Sequence, residues 1–343
     1  MENKKLQNIF VIGILTICFL SLIVGGFNTT IQGFKAKNEK AKKLKNIFGT
    51  GSPKIALIQL NGLISAGEGQ NNFFSESNSA QNVLKSLKCA KKDNSVKAII
   101  LKINSPGGTV ATSQNIYYEV LRLRQTKPVV VVMEDVAASG GYYIASGADR
   151  IIAQEGTLTG SIGVIMQTMD AHKLLTDKLG LKSNVIKSGA FKDAGSSSRE
   201  MSPQERELFQ NIVNDSYNQF ISAITKGRVQ RNDKYSVPKK DLTKENLKKY
   251  SDGRIFTGHQ AYNYGFVDIL GDMETAQQIA TKMASEKFSK NMGKNLPVVN
   301  YNEMSNFSQM IFGAQEAFFK GDSIKNYLPD SMTMSKKPLY LWE

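Results

Sequence analysis

Two short stretches hold the side chains best suited to covalent chemistry. One is Ala137-Ala138-Ser139-Gly140-Gly141-Tyr142-Tyr143, and the other is Ser188-Gly189-Ala190-Phe191-Lys192-Asp193. Ser139 follows a valine-rich apolar run, where a tight strand-to-helix turn lifts a hydroxyl clear of the backbone. A free hydroxyl is a weak nucleophile and needs a base. Lys192 lies among small and apolar residues. An amine kept away from water and carboxylates gives up its proton more readily, and Ser-Lys pairs are a known variant of the catalytic triad. Asp193 must then point elsewhere, because a close carboxylate would hold the proton on the amine. The rival bases are the two histidines, His172 and His259. They read as a helix-start residue and a turn residue.

Four motifs recur in one order: Asn104-Ser105-Pro106-Gly107-Gly108, then Ala137 to Tyr143, then Thr157-Leu158-Thr159-Gly160-Ser161-Ile162-Gly163-Val164, then Ser188 to Asp193 followed by Ser198-Arg199-Glu200-Met201. In this order the chain resembles signal peptide peptidase A, the membrane-anchored Ser-Lys proteases of bacteria, in their short single-copy form. The resemblance runs from about Lys54 to Leu270. It implies the Clp protease/crotonase-like α/β fold of repeated strand-strand-helix units. It also implies Ser139 as nucleophile, Lys192 as general base, and remnant signal peptides and similar apolar peptides as substrates. In that family one working site draws its serine and lysine from neighbouring catalytic units, so a single-copy chain is expected to form a homo-oligomer.

The Ser105-to-Gly108 stretch reads as an ordinary turn or as an oxyanion hole. In the second reading, backbone N–H groups of Gly107 and Gly108, with that of Gly140, hold the charge of a tetrahedral intermediate. Thr159 and Ser161 are either structural or hydrogen-bonding groups that orient the lysine. No His/Cys/Asp/Glu set shows metal-ligand spacing along the chain and no phosphate loop is present, so no metal or cofactor is expected. Two other readings stay open: a crotonase-like acyl-CoA enzyme, which uses the same pair of backbone donors, and a non-catalytic membrane scaffold.

The chain has 343 residues and a formal net charge of +14. No nucleic-acid motif accompanies the charge. Part of it is local, since Lys35, Lys37, Lys40, Lys42, Lys43 and Lys45 crowd behind an apolar segment, as in a basic run against anionic lipid. That segment, Ile9 to Phe27, carries no charge and would span about 28 Å as a helix. It lacks a clean small-x-small cleavage site and reads as an uncleaved anchor rather than a signal peptide. The lysines after it favour a cytoplasmic C-terminal side by charge count. The resemblance implies instead a single-pass protein of the bacterial inner membrane with its catalytic domain outside. Cys18 and Cys89 are placed too differently to staple the fold.

These elements must be positioned by what lies between them. Residues 1–8 form a short tail, 9–27 the anchor and 28–53 a basic linker. A protease domain follows over 54–286, and an extension with an apolar ending, Leu339-Tyr340-Leu341-Trp342, over 287–343. Strands are expected at Lys54–Leu60, Val96–Ile103, Pro128–Met133, Ile151–Ala153, Val164–Met169 and Asn184–Lys187. Helices are expected at Ala80–Lys92, Val110–Arg124, Met169–Leu179 and Pro203–Lys226, the last opened by Ser202 and Pro203, with a further helical stretch at Asn302–Phe319. Strands alternating with helices predict a mostly parallel, helix-covered sheet.

Overall fold

The computed structural model describes residues 52–66, 80–288, 292–293 and 295–302. The expected anchor, the expected helix at Asn302–Phe319 beyond its first residue, and the apolar ending at Leu339–Trp342 lie outside these residues. Among the described residues, no helix is long and apolar enough to cross a membrane.

Three long parallel strands make the centre of the sheet: β1 (Lys54–Asn61), β2 (Val96–Ser105) and β3 (Val129–Ala138). Their near-continuous Val/Ile/Leu content matches burial on both faces. Two helices follow the first strands in the usual crossover manner: α1 (Ala80–Lys92) and α2 (Val110–Thr126). A short helix, α3 (Gly140–Ala145), leaves the end of β3 directly. β3 then forks. Its first half pairs with β4 (Arg150–Ala153), in the register Val130 with Arg150 through Met133 with Ala153. Its last residues pair with β5 (Leu158–Gly160), Val136 with Leu158 and Ala138 with Gly160. The strand expected to stop at Met133 therefore runs on to Ala138, because a second partner takes over, and it delivers the chain to Ser139.

After β5 the chain leaves the sheet and returns in α4 (Pro203–Ile224), then α5 (Lys244–Tyr250). Strand β6 (Ile255–Thr257) pairs antiparallel to β5, and α6 (Gly258–Tyr264) leads to β7 (Ile269–Leu270) beside β4. Helix α7 (Met273–Phe288) lays Ala276, Ala280, Met283 and Ala284 on alternate residues of the sheet: Ile55, Ala98, Ile100, Val130 and Val132. Strand β8 (Val298–Asn300) closes the edge against β1, giving the order β6-β5-β3-β2-β1-β8. Asn302 prolongs that edge with its side chain. Its Oδ1 accepts from the Gln59 N–H at 2.7 Å and its Nδ2 donates to the Gln59 carbonyl at 2.9 Å. The sheet thus continues past residue 286, where the sequence reading ended the domain.

Two expected strands, Val164–Met169 and Asn184–Lys187, are absent from the sheet. Their residues form no regular element and pair with no strand. The side chains of Ile165 and Ile186 are 90% and 102% exposed. Between them, a wide helical turn over Leu174–Lys178 answers to the helix expected at Met169–Leu179.

Behind the sheet, Asp268 gathers two arginines. Arg228 donates to both its carboxylate oxygens, at 2.6 and 2.9 Å, and Arg231 donates at 3.0 Å. The Ile151 N–H adds a bond at 2.8 Å, which ties the group to β4. Burial pushes the Asp268 carboxyl up, but Arg228 and then Arg231 outweigh it and hold the group well below its usual range. Asp268→Ala would leave buried Arg228 uncompensated, and a loss of about 3–5 kcal/mol in urea unfolding is expected. Because the folded carboxyl titrates below the unfolded one, this contribution is complete above about pH 4 and drains away as the pH falls further. The wild-type and mutant stabilities should therefore converge in acid.

Candidate active site

Ser139 sits between β3 and α3 with φ 51° and ψ −118°. A side-chain-bearing residue adopts positive φ only when its surroundings impose it. Here the Ser139 N–H donates to the Gly160 carbonyl at 2.9 Å, and its carbonyl accepts from the Tyr143 N–H at 2.8 Å. Among the described residues the other non-glycine with positive φ is Ser161, at 49°. Its N–H donates to the Arg254 carbonyl at 2.8 Å. Both serines line one cavity of about 430 Å³, together with Gly108, Gly140, Tyr143 and Phe220.

The Ser105–Gly108 loop packs edge-on against the Ser139 turn. A methyl on Gly107, whose φ is 110°, would lie 2.7 Å from the Gly140 nitrogen and 2.8 Å from Ser139 Cβ. A methyl on Gly140 would lie 2.5 Å from Ser113 Oγ. Only glycine permits this approach. Ser105 fixes the loop, its Oγ donating to the Gly62 carbonyl at 2.6 Å and accepting from the Gly107 N–H at 3.1 Å. The N–H groups of Gly108 and Gly140 meet no acceptor among the described residues. Of the three glycines read as oxyanion donors, Gly107 therefore already spends its hydrogen bond within the loop, and the other two remain available.

Thr159 is buried in β5, and its hydroxyl donates to the Ala137 carbonyl at 2.7 Å. It braces the strand leading into Ser139 instead of facing the cavity, whereas Ser161 faces it. Lys192 is not a wall of that cavity. It is exposed, in a turn closed by its N–H donating to the Gly189 carbonyl at 3.1 Å, on the long excursion between β5 and α4. Phe191 beside it is 51% exposed. The Asp193 carboxylate turns to other cations: Arg199 Nε and Nη2 donate to it at 3.0 and 2.8 Å, and Lys187 Nζ at 2.5 Å. Those bonds, Arg199 first, hold the Asp193 carboxyl well below the usual carboxylate range.

Neither histidine lines the cavity. His172 Nδ1 is 2.7 Å from Asp170 Oδ1, and His259 is exposed on α6. Although the sequence shows no metal-ligand spacing, folding brings one ligand atom each from Asp170, His172 and Glu200 within 4.8 Å of one another. The two carboxylates are at the surface, where such groups gather without an ion. Residues of the cavity wall that the sequence reading missed come from far along the chain: Ser113 on α2, Ser216 and Phe220 on α4, and Asp252 with Gly253 before β6. No local motif marks them; only the return of α4 and β6 to the sheet does.

A strained serine beside two unengaged N–H donors, at the end of a parallel, helix-covered sheet, defines a serine hydrolase site. Comparison with known proteins gives it a family. Residues 122–287 match the model of peptidase family S49, and residues 72–170 that of Clp protease. The chain is 40% identical over 231 residues to a Synechocystis protein named as a protease, covering 67% of this chain and 74% of that one. It is 36% identical over 255 residues to an Enterococcus faecium protein named as a signal peptide peptidase SppA, covering 73% of this chain and 70% of that one. With the chloroplastic serine protease SPPA of Arabidopsis thaliana it shares 32% over 241 residues, 70% of this chain and 34% of that one. The chain is a serine protease. It belongs to peptidase family S49.

Gly107→Ala should push the Gly140 N–H out of place. Losing one oxyanion donor typically costs about 10²–10³ in kcat, and peptide hydrolysis should fall by that order. Gly62→Ala is the control for strain alone, since Gly62 has φ 75° but open space where the methyl would go. It should keep near wild-type turnover.

Proposed function

We propose that the chain is a membrane-anchored endopeptidase in which Ser139 of one copy is activated by Lys192 of a neighbouring copy. The observation that carries this reading is the separation of the two groups. The cavity around Ser139 has its backbone donors but no basic side chain in its wall, while Lys192 is exposed and is not one of its lining residues. The excursion that carries it also exposes Ile165, Met169, Leu181, Ile186 and Phe191. A second copy laid against it would remove these side chains from water and strip solvent from the amine, which is what a lysine base needs.

In the cycle, Ser139 Oγ attacks the scissile carbonyl and Lys192 Nζ takes the hydroxyl proton. The developing oxyanion is held by the N–H groups of Gly108 and Gly140, worth about 3 kcal/mol each. The lysine returns its proton to the leaving amine, and water then releases the acyl-enzyme by the same route. Tyr143, Phe220, Val164 and Ile165 give the cavity apolar walls. These suit apolar peptides, among them remnant signal peptides left in a bilayer. The uncharged Ile9–Phe27 segment and the lysines behind it would hold the enzyme there, with the catalytic domain outside the bacterial inner membrane.

Ser139→Ala and Lys192→Ala should each abolish hydrolysis of an apolar peptide. Co-expressed as a mixture, the two inert chains should recover activity. Random assembly in a head-to-tail ring places an intact serine against an intact lysine at about a quarter of interfaces, so about a quarter of wild-type turnover is expected. No recovery from chains that co-assemble would place both groups in one chain.

A further inference from the structure

The loop that carries Lys192 is held by a chain of charges that the reaction itself does not use. Lys187 Nζ donates to the Ala190 carbonyl at 3.0 Å and to Asp193 Oδ1, so it spans the lysine from both sides. Asp193, 12% exposed at its side chain, is gripped on its other side by the fork of Arg199. The same guanidinium reaches on to Glu205, donating from Nη1 to Oε2 at 2.9 Å and from Nη2 to Oε1. Glu205 is buried and belongs to α4. Its carboxylate accepts from the Ser202 N–H at 2.9 Å, and Ser202 Oγ accepts from the Glu205 N–H at 3.2 Å, a complete capping box. Arg199 thus joins two carboxylates, one next to Lys192 and one in the first turn of a 22-residue helix. Few side chains other than arginine can do this, because it needs a planar fork of several donors and not a point charge. Further along that helix, Ser216 and Phe220 line the Ser139 cavity.

We propose that Arg199 is a positioning residue for Lys192: through Asp193 it tethers the lysine-bearing loop to the N-terminus of α4 and fixes where the amine is presented. The inference rests on the reading of Lys192 as the base. It adds a residue that touches neither the substrate nor the serine. A misplacement of about 1 Å in a proton acceptor can cost on the order of 10² in rate, so the tether is felt in kcat and not in substrate binding.

The test uses the full-length, assembled enzyme. Asp193→Asn takes the charge out of the tether and leaves in place the Arg199–Glu205 pair, the capping box and the bond from Arg199 Nη2 to the Asp193 carbonyl at 3.2 Å. Arg199→Gln removes the whole tether. Asp193→Asn should lower kcat about tenfold or more, with KM within about twofold and with assembly and melting midpoint unchanged. The double variant should lose less than the product of the two single losses, because the two residues share a contact while Asp193 also meets Lys187. Arg199→Lys should recover only part of the rate. Wild-type kcat in Asp193→Asn, or a loss that tracks melting midpoint and assembly, overturns the proposal. Lys192→Ala run alongside separates the two claims. If it is inert while Asp193→Asn is fully active, only the tether fails; if it is active, the base assignment fails first.

Discussion

The site depends on one enforced backbone conformation. Ser139 is held at positive φ because β3 changes partner just before it. The strand pairs with β4 up to Met133 and with β5 from Val136, and the Gly160 carbonyl then captures the Ser139 N–H. A serine at this φ costs on the order of 1–3 kcal/mol, which the two ladders and the buried start of α3 offset. The Ser105–Gly108 loop could not close on the turn if Gly107, Gly108 or Gly140 carried a side chain. A methyl on Gly108 would fall 1.9 Å from the Ile64 carbonyl oxygen. The buried Tyr142 of α3 donates to the Phe266 carbonyl at 2.9 Å, so the turn is anchored close to the Asp268 cluster as well.

Much of this was legible in the sequence, for physical reasons. Strands buried on both faces must be almost wholly apolar, so β1, β2 and the first half of β3 announced themselves. Ser202-Pro203 marked the start of α4 because a helix cap is local. The glycines near Ser139 carried their signal in their type. What stayed hidden depends on distant partners. β5, β6 and β7 are two or three residues long, too short for any periodicity. β8 is a strand because β1 has a free edge, not because Val298–Asn300 insists on it. Val164–Met169 and Asn184–Lys187 show the reverse case. They have β-prone residues, but a strand needs a neighbour, and among the described residues of one chain there is none.

The two halves of the proposed chemistry are joined by α4. Its first turn holds Glu205 against Arg199, and about four turns later Phe220 packs at a tilt, ring centroids 4.9 Å apart, against Tyr143, which lines the serine's cavity. One rigid element thus touches both the loop that offers a base and the wall that receives a substrate. If serine and lysine belong to different copies, each α4 lies between two sites, and a displacement at one can reach the next without a change in the sheet.

The bare excursion between β5 and α4 has a consequence for the life of a single copy. Extended, unpaired, apolar backbone is the form in which peptidases accept their substrates, because it can be added to an existing strand edge. A single copy displays unpaired backbone with exposed apolar side chains at Ile165 and Ile186. Assembly would hide it. If copies assemble as proposed, a surplus copy would keep this segment on show, and the stoichiometry would be policed by the same physics that feeds the enzyme.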